Sequence, residues 1–226
     1  MIKIVVAGAM AGLAFTTAAV AEDAAATKTQ TQAQVAVAAP AQSPAPATVG
    51  QQAPEFTLVD ATGKKHSLSD YKGKYVVLEW INFDCPFVKK HYGSKHMQGL
   101  QTTYTGKGVV WLSICSSAPG KEGNYEGETL TKRIQTEGLK STAYLIDSDG
   151  TVGRRYEAKT TPDMFVINPQ GVLVYAGAID DHPSTKPEDL QGAVNYVSEA
   201  LSSAMSGKPV STTWTKSYGC SVKYAS

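Results

Sequence analysis

Two apolar runs in the middle of the chain have the pattern of strands that are buried on both faces. Tyr75–Ile81 is mostly apolar and β-branched, and Val109–Cys115 shows the same pattern after an intervening segment. That segment places Met97 and Tyr104 on one helical face, and Gly93-Ser94 is expected to bend or interrupt the helix. This strand–helix–strand order predicts two neighbouring parallel strands joined by a right-handed crossover.

Shorter patterned segments on either side complete the predicted fold. They are a hairpin around Asp60–Gly63, a helix over 129–139, a short strand over 144–146 and a hairpin that joins Met164–Ile167 to Val172–Ala176. A final helix is expected to begin at a capping box formed by Thr185 and Glu188. Its apolar face comprises Leu190, Val194, Val197 and Leu201. Together these elements predict an α/β domain with a central mixed sheet flanked by helices.

The beginning of the chain has the pattern of an export signal. Lys3 precedes a short apolar run, and Ala19-Val20-Ala21 forms a small-residue cleavage site. The residues that follow lack aromatic side chains and apolar periodicity, so they cannot bury enough surface to fold. The predicted organisation is a signal peptide (1–21), a disordered Ala/Gln/Pro-rich linker (22–48) and a folded domain (49–226) with a tail (206–226). The alternative for the first segment is an uncleaved membrane anchor.

Composition and charge exclude several classes of partner. The 226 residues are 42% hydrophobic and 18% charged, which suits one compact domain with an appendage. A formal net charge of +1 gives no strong field that would attract nucleic acid or anionic lipid. No run after the signal approaches the ~20 apolar residues that span a bilayer. We therefore expect an exported protein, periplasmic or secreted, without stable membrane insertion after cleavage and without a nucleic-acid partner.

The cysteines and histidines do not form a metal-site pattern. Cys85, Cys115 and Cys220 are too few and too scattered for a disulfide scaffold, and no pair has a zinc spacing. His91 and His96 are out of step with the spacing that places two ligands on one helix face, so we interpret both as solvated. The sequence predicts no metal and no other cofactor. An odd number of cysteines leaves at least one free or paired with another molecule.

The segment 82–86 places a cysteine between a buried strand and a helix. Proline suits the first helical turn, which makes Cys85 the N-cap of that helix. A helix N-terminus stabilises the thiolate, which is the nucleophilic form of cysteine, and Lys89 one turn further on would add to this effect. Lys90 acts in the same direction and Asp84 against it. The alternative interpretation of Cys85 is an inert buried thiol.

Four separated segments carry a family resemblance. They are Tyr75–Tyr92 with Asp-Cys-Pro-Phe-Val-Lys-Lys-His, Val110-Trp-Leu-Ser-Ile with Ser116-Ser-Ala-Pro-Gly, Thr-Thr-Pro162-Asp, and Gly219-Cys220-Ser-Val-Lys. Through these segments, residues 49–226 resemble the peroxiredoxin-like branch of the AhpC/TSA (redoxin) family of thioredoxin-fold proteins. The resemblance implies a thioredoxin-like α/β fold with an N-terminal β-hairpin and a C-terminal tail.

The resemblance also implies roles for individual residues. Cys85 matches the first cysteine of the thioredoxin Cys-x-x-Cys motif, and Val88 stands at the position of the second. Dithiol exchange within the motif is therefore impossible. Thr161 and Pro162 match the cis-proline segment, whose preceding backbone faces the reactive sulfur and pairs with substrate chains. We therefore expect Thr161 and Pro162 to shape the substrate groove.

A second sulfur is needed to resolve the oxidised form of Cys85. Cys220 is the better internal candidate, because it follows a glycine in a tail rich in small and polar residues and similar tails end this family. The alternative is a tail cysteine that is free or paired with another molecule. Cys115 is interpreted as a buried structural thiol, and Trp214 as a residue that pins the tail to the domain.

These features predict an enzyme, an exported thiol-disulfide oxidoreductase or antioxidant protein with Cys85 as its redox nucleophile. Its substrates would be protein thiols and disulfides or small peroxides, and its reductant is not specified by the sequence. One alternative is a peroxiredoxin-like thiol peroxidase. The sequence argues against it, because Leu78 and Asn82 stand where the Pro-x-x-x-Thr-x-x-Cys signature has Pro and Thr. Another is a non-catalytic binding module in which Cys85 and Cys220 form a structural disulfide.

Overall fold

The computed structural model describes residues 46–226. The predicted signal peptide and most of the predicted linker lie outside these residues. Ala47 already donates a backbone hydrogen bond to the carbonyl of Arg155 at 3.1 Å and packs against the core, so contact with the domain begins before residue 49. No helix in the described part of the chain is long and apolar enough to cross a membrane.

A mixed seven-stranded sheet forms the centre of the domain, with helices packed against it. The strands of residues 46–226 are Thr57–Asp60 (β1), Lys65–Ser67 (β2), Val76–Trp80 (β3), Val110–Cys115 (β4), Ala143–Ile146 (β5), Thr160–Thr161 (β6), Asp163–Ile167 (β7), Leu173–Gly177 (β8) and Cys220–Ser221 (β9). The α-helices are Pro86–Gly93 (α1), His96–Thr105 (α2), Gly127–Glu137 (α3), Thr151–Arg155 (α4) and Tyr196–Met205 (α5). The sheet order is β2-β1-β5-β4-β3-β7-β8, and β6 pairs with β9 in a separate two-stranded sheet.

The two apolar runs lie side by side at the middle of the sheet, as predicted. β3 and β4 are parallel, with Val76 beside Val110, and β7 runs antiparallel to β3 on its other side. Every residue of β3 and β4 is buried, because alternate residues enter separate apolar clusters on the two faces of the sheet. The expected thioredoxin-like α/β fold is confirmed, and it places the carboxyl end of β3 beside the start of α1.

The segment after β3 forms two helices with a break between them. Cys85 is the N-cap of α1 and Pro86 occupies its first turn, as the sequence predicts. α1 ends at Gly93, and Lys95 adopts a left-handed backbone conformation with φ of 62° before α2 begins at His96. The predicted interruption is therefore confirmed, and it allows α1 and α2 to present different faces to the sheet.

The predicted final helix is wrong in its first half. Pro187–Leu190 forms a separate 3₁₀ helix, and Val194 is 39% exposed rather than part of an apolar face. α5 begins only at Tyr196, because the Asn195 side chain caps it by accepting from the backbone N–H of Ser198. Gly192, with φ of +79°, precedes this cap and breaks the helical path.

A carboxyl group lies at the centre of the core. Glu79 of β3 is fully buried and accepts hydrogen bonds at 2.8–3.0 Å from the side chains of Tyr92, Gln101, Trp111 and Ser113. Burial raises the pKa of the Glu79 carboxyl, and these four donors oppose the rise. The carboxyl thus joins α1 and α2 to the two central strands, directly behind the segment that carries Cys85.

We expect Glu79→Ala to lower the free energy of unfolding by about 3 to 5 kcal/mol, because four buried donors would lose their acceptor. Urea denaturation followed by tryptophan fluorescence measures this change. Glu128→Ala is the control, since Glu128 is exposed in the first turn of α3 and its loss should cost less than about 1 kcal/mol. Equal effects of the two substitutions would contradict a structural role for the Glu79 network.

Candidate active site

The sulfur of Cys85 lies in a closed site at the carboxyl end of the central strand. Cys85 is 0% exposed, and its thiol donates a hydrogen bond to the backbone carbonyl of Thr161, with Sγ and O 3.0 Å apart. Its side chain makes no capping hydrogen bond to α1. In this state the thiol proton is therefore held by the Thr161 carbonyl, while the sulfur remains at the helix N-terminus where negative charge is favoured.

The loop that precedes Cys85 is fixed by residues from a distant part of the chain. Arg133 of α3 lies 3.2 Å from the Asp84 carboxylate and donates a hydrogen bond to the carbonyl of Phe83 at 2.8 Å. Tyr125 donates to the same carboxylate at 2.6 Å. The predicted opposition of Asp84 to a thiolate is thus offset by a cationic partner that sequence reasoning missed. The sequence offers no signal for this pairing, because Arg133 lies on a separate helix.

The predicted proline segment lies directly opposite the reactive sulfur. The Thr161–Pro162 peptide bond is cis, and both residues are buried. Thr161 belongs to β6, which pairs antiparallel with the tail strand β9, so that Thr161 is opposite Cys220. The edge of Thr161 that was expected to receive a substrate chain is therefore covered by this protein's own tail.

Cys220 is brought into contact with Cys85 by this pairing. Burial, a hydrogen bond with Cys85 and the Coulombic interaction with Cys85 raise the pKa of the Cys220 thiol to about 12. Lys223 acts in the opposite direction. Cys85, Cys115 and Cys220 are all free thiols in this structure. The fold thus places two of the three cysteines at one site, although they are far apart in sequence.

Glycines allow the tail to lie close against the domain. A β-carbon on Gly219 would collide with the carbonyl of Thr161, and one on Gly177 would collide with the carbonyl of Thr215. Two further glycines, Gly150 and Gly153, leave room for the ring of Tyr224 near the end of the chain. The close fit along this path shows that the tail is packed as a defined part of the domain.

The prediction that Trp214 pins the tail is wrong, because its side chain is 65% exposed. The tail is held instead by hydrogen bonds of neighbouring residues. The Thr215 hydroxyl accepts from the backbone N–H of Ala178 at 2.9 Å, and Tyr224 donates to the carbonyl of Ala158 at 2.7 Å. Arg154 stacks on the Tyr224 ring at 4.5 Å from its centroid.

The two lysines of α1 differ from the prediction. Lys89 is exposed, and among residues 46–226 its side chain has no hydrogen bond or ion pair. Lys90 instead turns into the protein, where its side chain is 0% exposed and Nζ donates to the carbonyl of His182 at 2.9 Å. Burial lowers the pKa of Lys90, and Asp180 opposes this effect. Within residues 46–226, no hydrogen bond or ion pair therefore joins either lysine to Cys85.

The prediction that His91 and His96 are both solvated is also wrong. His91 is 0% exposed, and its Nδ1 lies 3.0 Å from Nδ1 of His96. Burial, with repulsion from Lys90 and His96, lowers the pKa of His91 to about 2, so the ring is neutral. Within residues 46–226 no group of three or more His, Cys, Asp or Glu side chains could hold a metal ion.

Cys115 lies in different surroundings from the other two cysteines. It ends β4, is 6% exposed, and its thiol donates to the carbonyl of Gly123 with a sulfur–oxygen distance of 3.5 Å. It packs in the apolar cluster that contains Cys85, but its thiol bonds the carbonyl of Gly123 and not Cys85. These surroundings agree with the interpretation of Cys115 as a structural thiol.

Asp163 holds the proline segment in place. Its carboxylate accepts from the backbone N–H of Lys159 at 3.0 Å and also bonds the Ser217 hydroxyl in the tail. Burial raises the pKa of Asp163 to about 6, although its hydrogen bonds oppose the rise. This residue was not identified from the sequence, where an aspartate after a proline carries no distinguishing pattern.

Comparisons with known sequences identify the family of this chain. The profile of the AhpC/TSA family matches residues 49–176, more than half of the chain, and the chain belongs to this family. It is 27% identical to thiol-disulfide oxidoreductase ResA of Bacillus subtilis (strain 168) over 125 residues, 55% of this chain and 64% of ResA. It is 32% identical to thioredoxin peroxidase of Echinococcus granulosus over 142 residues, 56% of this chain and 69% of that protein.

Two solved structures are similar over more of the chain. An uncharacterized conserved protein from Geobacillus kaustophilus has a TM-score of 0.68 and 29% identity, over 79% of this chain and 93% of that chain. A hypothetical protein, SMc02350 from Sinorhizobium meliloti 1021, has a TM-score of 0.65 and 26% identity, over 79% of this chain and 96% of that chain. Because 79% of the chain exceeds the stretch 49–176, the structural similarity extends beyond the family profile.

We expect Gly219→Ala to loosen the tail and expose Cys85, because a β-carbon cannot fit against the Thr161 carbonyl. The rate of Cys85 alkylation by N-ethylmaleimide, followed by mass spectrometry, should rise about tenfold or more. Gly207→Ala is a matched control, since Gly207 also has a positive φ, of +70°, but open space around its α-carbon. An unchanged alkylation rate in Gly219→Ala would contradict the role of the tail as the cover of Cys85.

The raised pKa of Asp163 predicts a pH dependence of stability. A folded-state pKa of about 6, above the usual 3.8, means that folding favours the protonated carboxyl. This contribution is fully present below about pH 4 and is lost as the pH rises through about 6. Urea unfolding across this range should therefore show a fall in stability with rising pH that is smaller in Asp163→Asn. Parallel profiles of the two proteins would contradict the assignment.

Proposed function

We propose that this protein is an exported thiol-disulfide oxidoreductase in which Cys85 attacks the substrate and Cys220 resolves the product. One observation carries the proposal. The carbonyl that accepts the Cys85 thiol proton belongs to Thr161, and Thr161 is the residue that pairs with Cys220. Both sulfurs are therefore held at the same point of the backbone, at the N-terminus of α1.

Each step of the reaction is the attack of a thiolate on a disulfide sulfur, with a second thiolate as the leaving group. The Cys85 thiolate attacks one sulfur of a substrate disulfide, forming a mixed disulfide and releasing the other substrate sulfur as a thiolate. The Cys220 thiolate then attacks Cys85, forming a Cys85–Cys220 disulfide and releasing the second substrate thiolate. The substrate gains two electrons and the protein loses two. An external dithiol must then reduce the Cys85–Cys220 disulfide to restore the starting state.

The electrostatics support this order of attack. Because the pKa of Cys220 is raised to about 12, its thiol is protonated near neutral pH and does not compete as the first nucleophile. Part of this rise comes from the interaction with Cys85. Once Cys85 is joined to substrate it no longer carries an ionisable thiol, and that part of the rise disappears. Cys220 then becomes more easily ionised at the step that needs it.

Reduction of a small peroxide is the second candidate function. Cys85 would take one oxygen atom from the peroxide and become a sulfenic acid, releasing an alcohol or water, and Cys220 would then form the disulfide and release water. The complete burial of Cys85 favours a small substrate, since a protein disulfide requires displacement of the tail. The relatives of this chain include a thioredoxin peroxidase as well as a thiol-disulfide oxidoreductase. Against it, Asn82 and Leu78 replace the peroxiredoxin signature residues.

The proposed compartment is outside the cytoplasm. The pattern of residues 1–21 supports export, and a protein that cycles through an intramolecular disulfide is compatible with an oxidising compartment. Its partners there would be protein thiols and disulfides or small peroxides. A structural Cys85–Cys220 disulfide in a non-catalytic binding module is the remaining alternative, and the reduction potential distinguishes it from a catalytic pair.

Oxidised glutathione tests the roles of the cysteines. In the wild type we expect Cys85 to react first and the Cys85–Cys220 disulfide to accumulate, as measured by mass spectrometry of acid-quenched samples. Cys220→Ser should stop at a mixed disulfide between Cys85 and glutathione. Cys85→Ser should react at Cys220 more slowly than the wild type reacts at Cys85, because burial, the largest cause of the raised pKa of Cys220, remains after the interaction with Cys85 is lost. Cys115→Ser is the matched control and should behave as the wild type.

Two results would overturn this assignment. One is modification of Cys220 before Cys85 in the wild type. The other is a reduction potential of the Cys85–Cys220 pair below about −300 mV, which is the range of structural disulfides and would favour the non-catalytic module. Replacing oxidised glutathione with hydrogen peroxide in the same experiment tests the second candidate, because only peroxide chemistry passes through a sulfenic acid at Cys85.

A further inference from the structure

A buried group of charged and polar side chains lies where α1, the helix capped by Cys85, packs against the domain and the tail. The side chains of Lys90 and Asp180 are 0% and 1% exposed, with Nζ and Oδ2 3.6 Å apart. Tyr218 of the tail donates a short hydrogen bond from its hydroxyl to Oδ1 of Asp180. Nζ of Lys90 lies 3.4 Å from the same hydroxyl and 5.4 Å from the centre of the ring.

A second residue of α1, Phe87, also contacts the tyrosine ring. Phe87 packs edge-on against Tyr218, with ring centroids 5.7 Å apart. Tyr218 is thus the one residue of the tail, among those the structure describes, that contacts both the reactive helix and a buried ion pair. A buried ion pair is weak evidence for stability, since removal from water offsets the attraction between the charges. Polar groups in such positions are better suited to fixing one arrangement among several.

The tail needs such a fixed point. Its strand β9 contains only two residues, Cys220 and Ser221, so its own pairing cannot set the register strongly. A slip of one residue would turn the Cys220 side chain to the opposite face and away from Cys85. Tyr218 lies two residues before Cys220, and Gly219 between them passes against the Thr161 carbonyl where no β-carbon fits. Tyr218 is therefore close enough in sequence to Cys220 for its position to constrain that of the cysteine.

We propose that Tyr218, seated on the Lys90–Asp180 pair, is a positioning residue that fixes the register of the tail and so places Cys220 against Cys85. The inference rests on the proposed function, in which Cys220 resolves the oxidised form of Cys85. Tyr218 itself touches neither sulfur in this role. It acts by raising the effective concentration of one thiol at the other above the value that the remaining tail anchors, such as Thr215 and Tyr224, would give.

The test is the rate at which Cys220 resolves a mixed disulfide between Cys85 and glutathione. The full chain of Tyr218→Phe is treated with oxidised glutathione, and the mixed and intramolecular disulfides are followed by mass spectrometry. We expect resolution to slow by about tenfold or more, because the hydroxyl bonded to a charged group is lost. The first step, attack by Cys85, should not slow. Trp214→Phe is the matched control, an aromatic of the same tail that is 65% exposed, and should resolve at the wild-type rate.

Hydrogen exchange separates positioning from a general loss of stability. In Cys220→Ser, which cannot form the disulfide, adding Tyr218→Phe should speed exchange of the Val222 amide that bonds the carbonyl of Lys159. Exchange in β3 should stay unchanged. Faster exchange throughout β3 would assign Tyr218 a purely structural role and overturn the proposal.

The outcomes also separate this inference from the function on which it rests. Formation of the Cys85–Cys220 disulfide at the same rate in wild type and Tyr218→Phe overturns the positioning role and leaves the proposed function intact. A wild-type protein that stops at the mixed disulfide overturns both, because Cys220 then resolves nothing. Slower resolution in Tyr218→Phe with an unchanged control supports both.

Discussion

The backbone of Thr161 is the point where the two halves of the site meet. Its carbonyl accepts the thiol proton of Cys85, and its strand pairs with the segment that carries Cys220. The cysteines are distant in sequence and belong to different elements, and the backbone of Thr161 brings them together. Asp163, two residues after Thr161, holds the same strand, since its carboxylate accepts from the Lys159 N–H and bonds the Ser217 hydroxyl of the tail. The proposed redox chemistry therefore depends on how firmly one short strand is held.

Much of this arrangement follows from local patterns in the sequence. The apolar run of β3 and the Cys85-Pro86 pair identify the strand end and the helix start, because burial on both faces and proline at a first turn are local requirements. The place of α5 was misjudged because Asn195 provides a stronger cap than the distant capping box, and Gly192 breaks the helix between them.

The side-chain partners could not be predicted, for a different physical reason. Lys89 and Lys90 are neighbours with equal charge that point about 100° apart around α1, and the packing of the helix against the domain decides which one enters the protein. The buried lysine is stabilised by Asp180, which comes from a loop some ninety residues further along the chain. The same carboxylate oxygen lies 3.8 Å from Nε2 of His91, which is too far for a hydrogen bond, and neither atom has a hydrogen-bond partner among the described residues. Periodicity contains no information about such contacts between distant segments.

The division of the two sulfurs between elements suits sequential chemistry. Cys85 stands at the end of a strand whose residues are all buried, and the Glu79 network behind it ties two helices to that strand. Cys220 stands in a tail in which no residue is fully buried and whose strand has two residues. Segments with few buried apolar contacts open at lower free energy than the core. In the proposed reaction, substrate would therefore reach Cys85 by local release of the tail, without unfolding of the domain, and return of the tail would bring Cys220 back to Cys85.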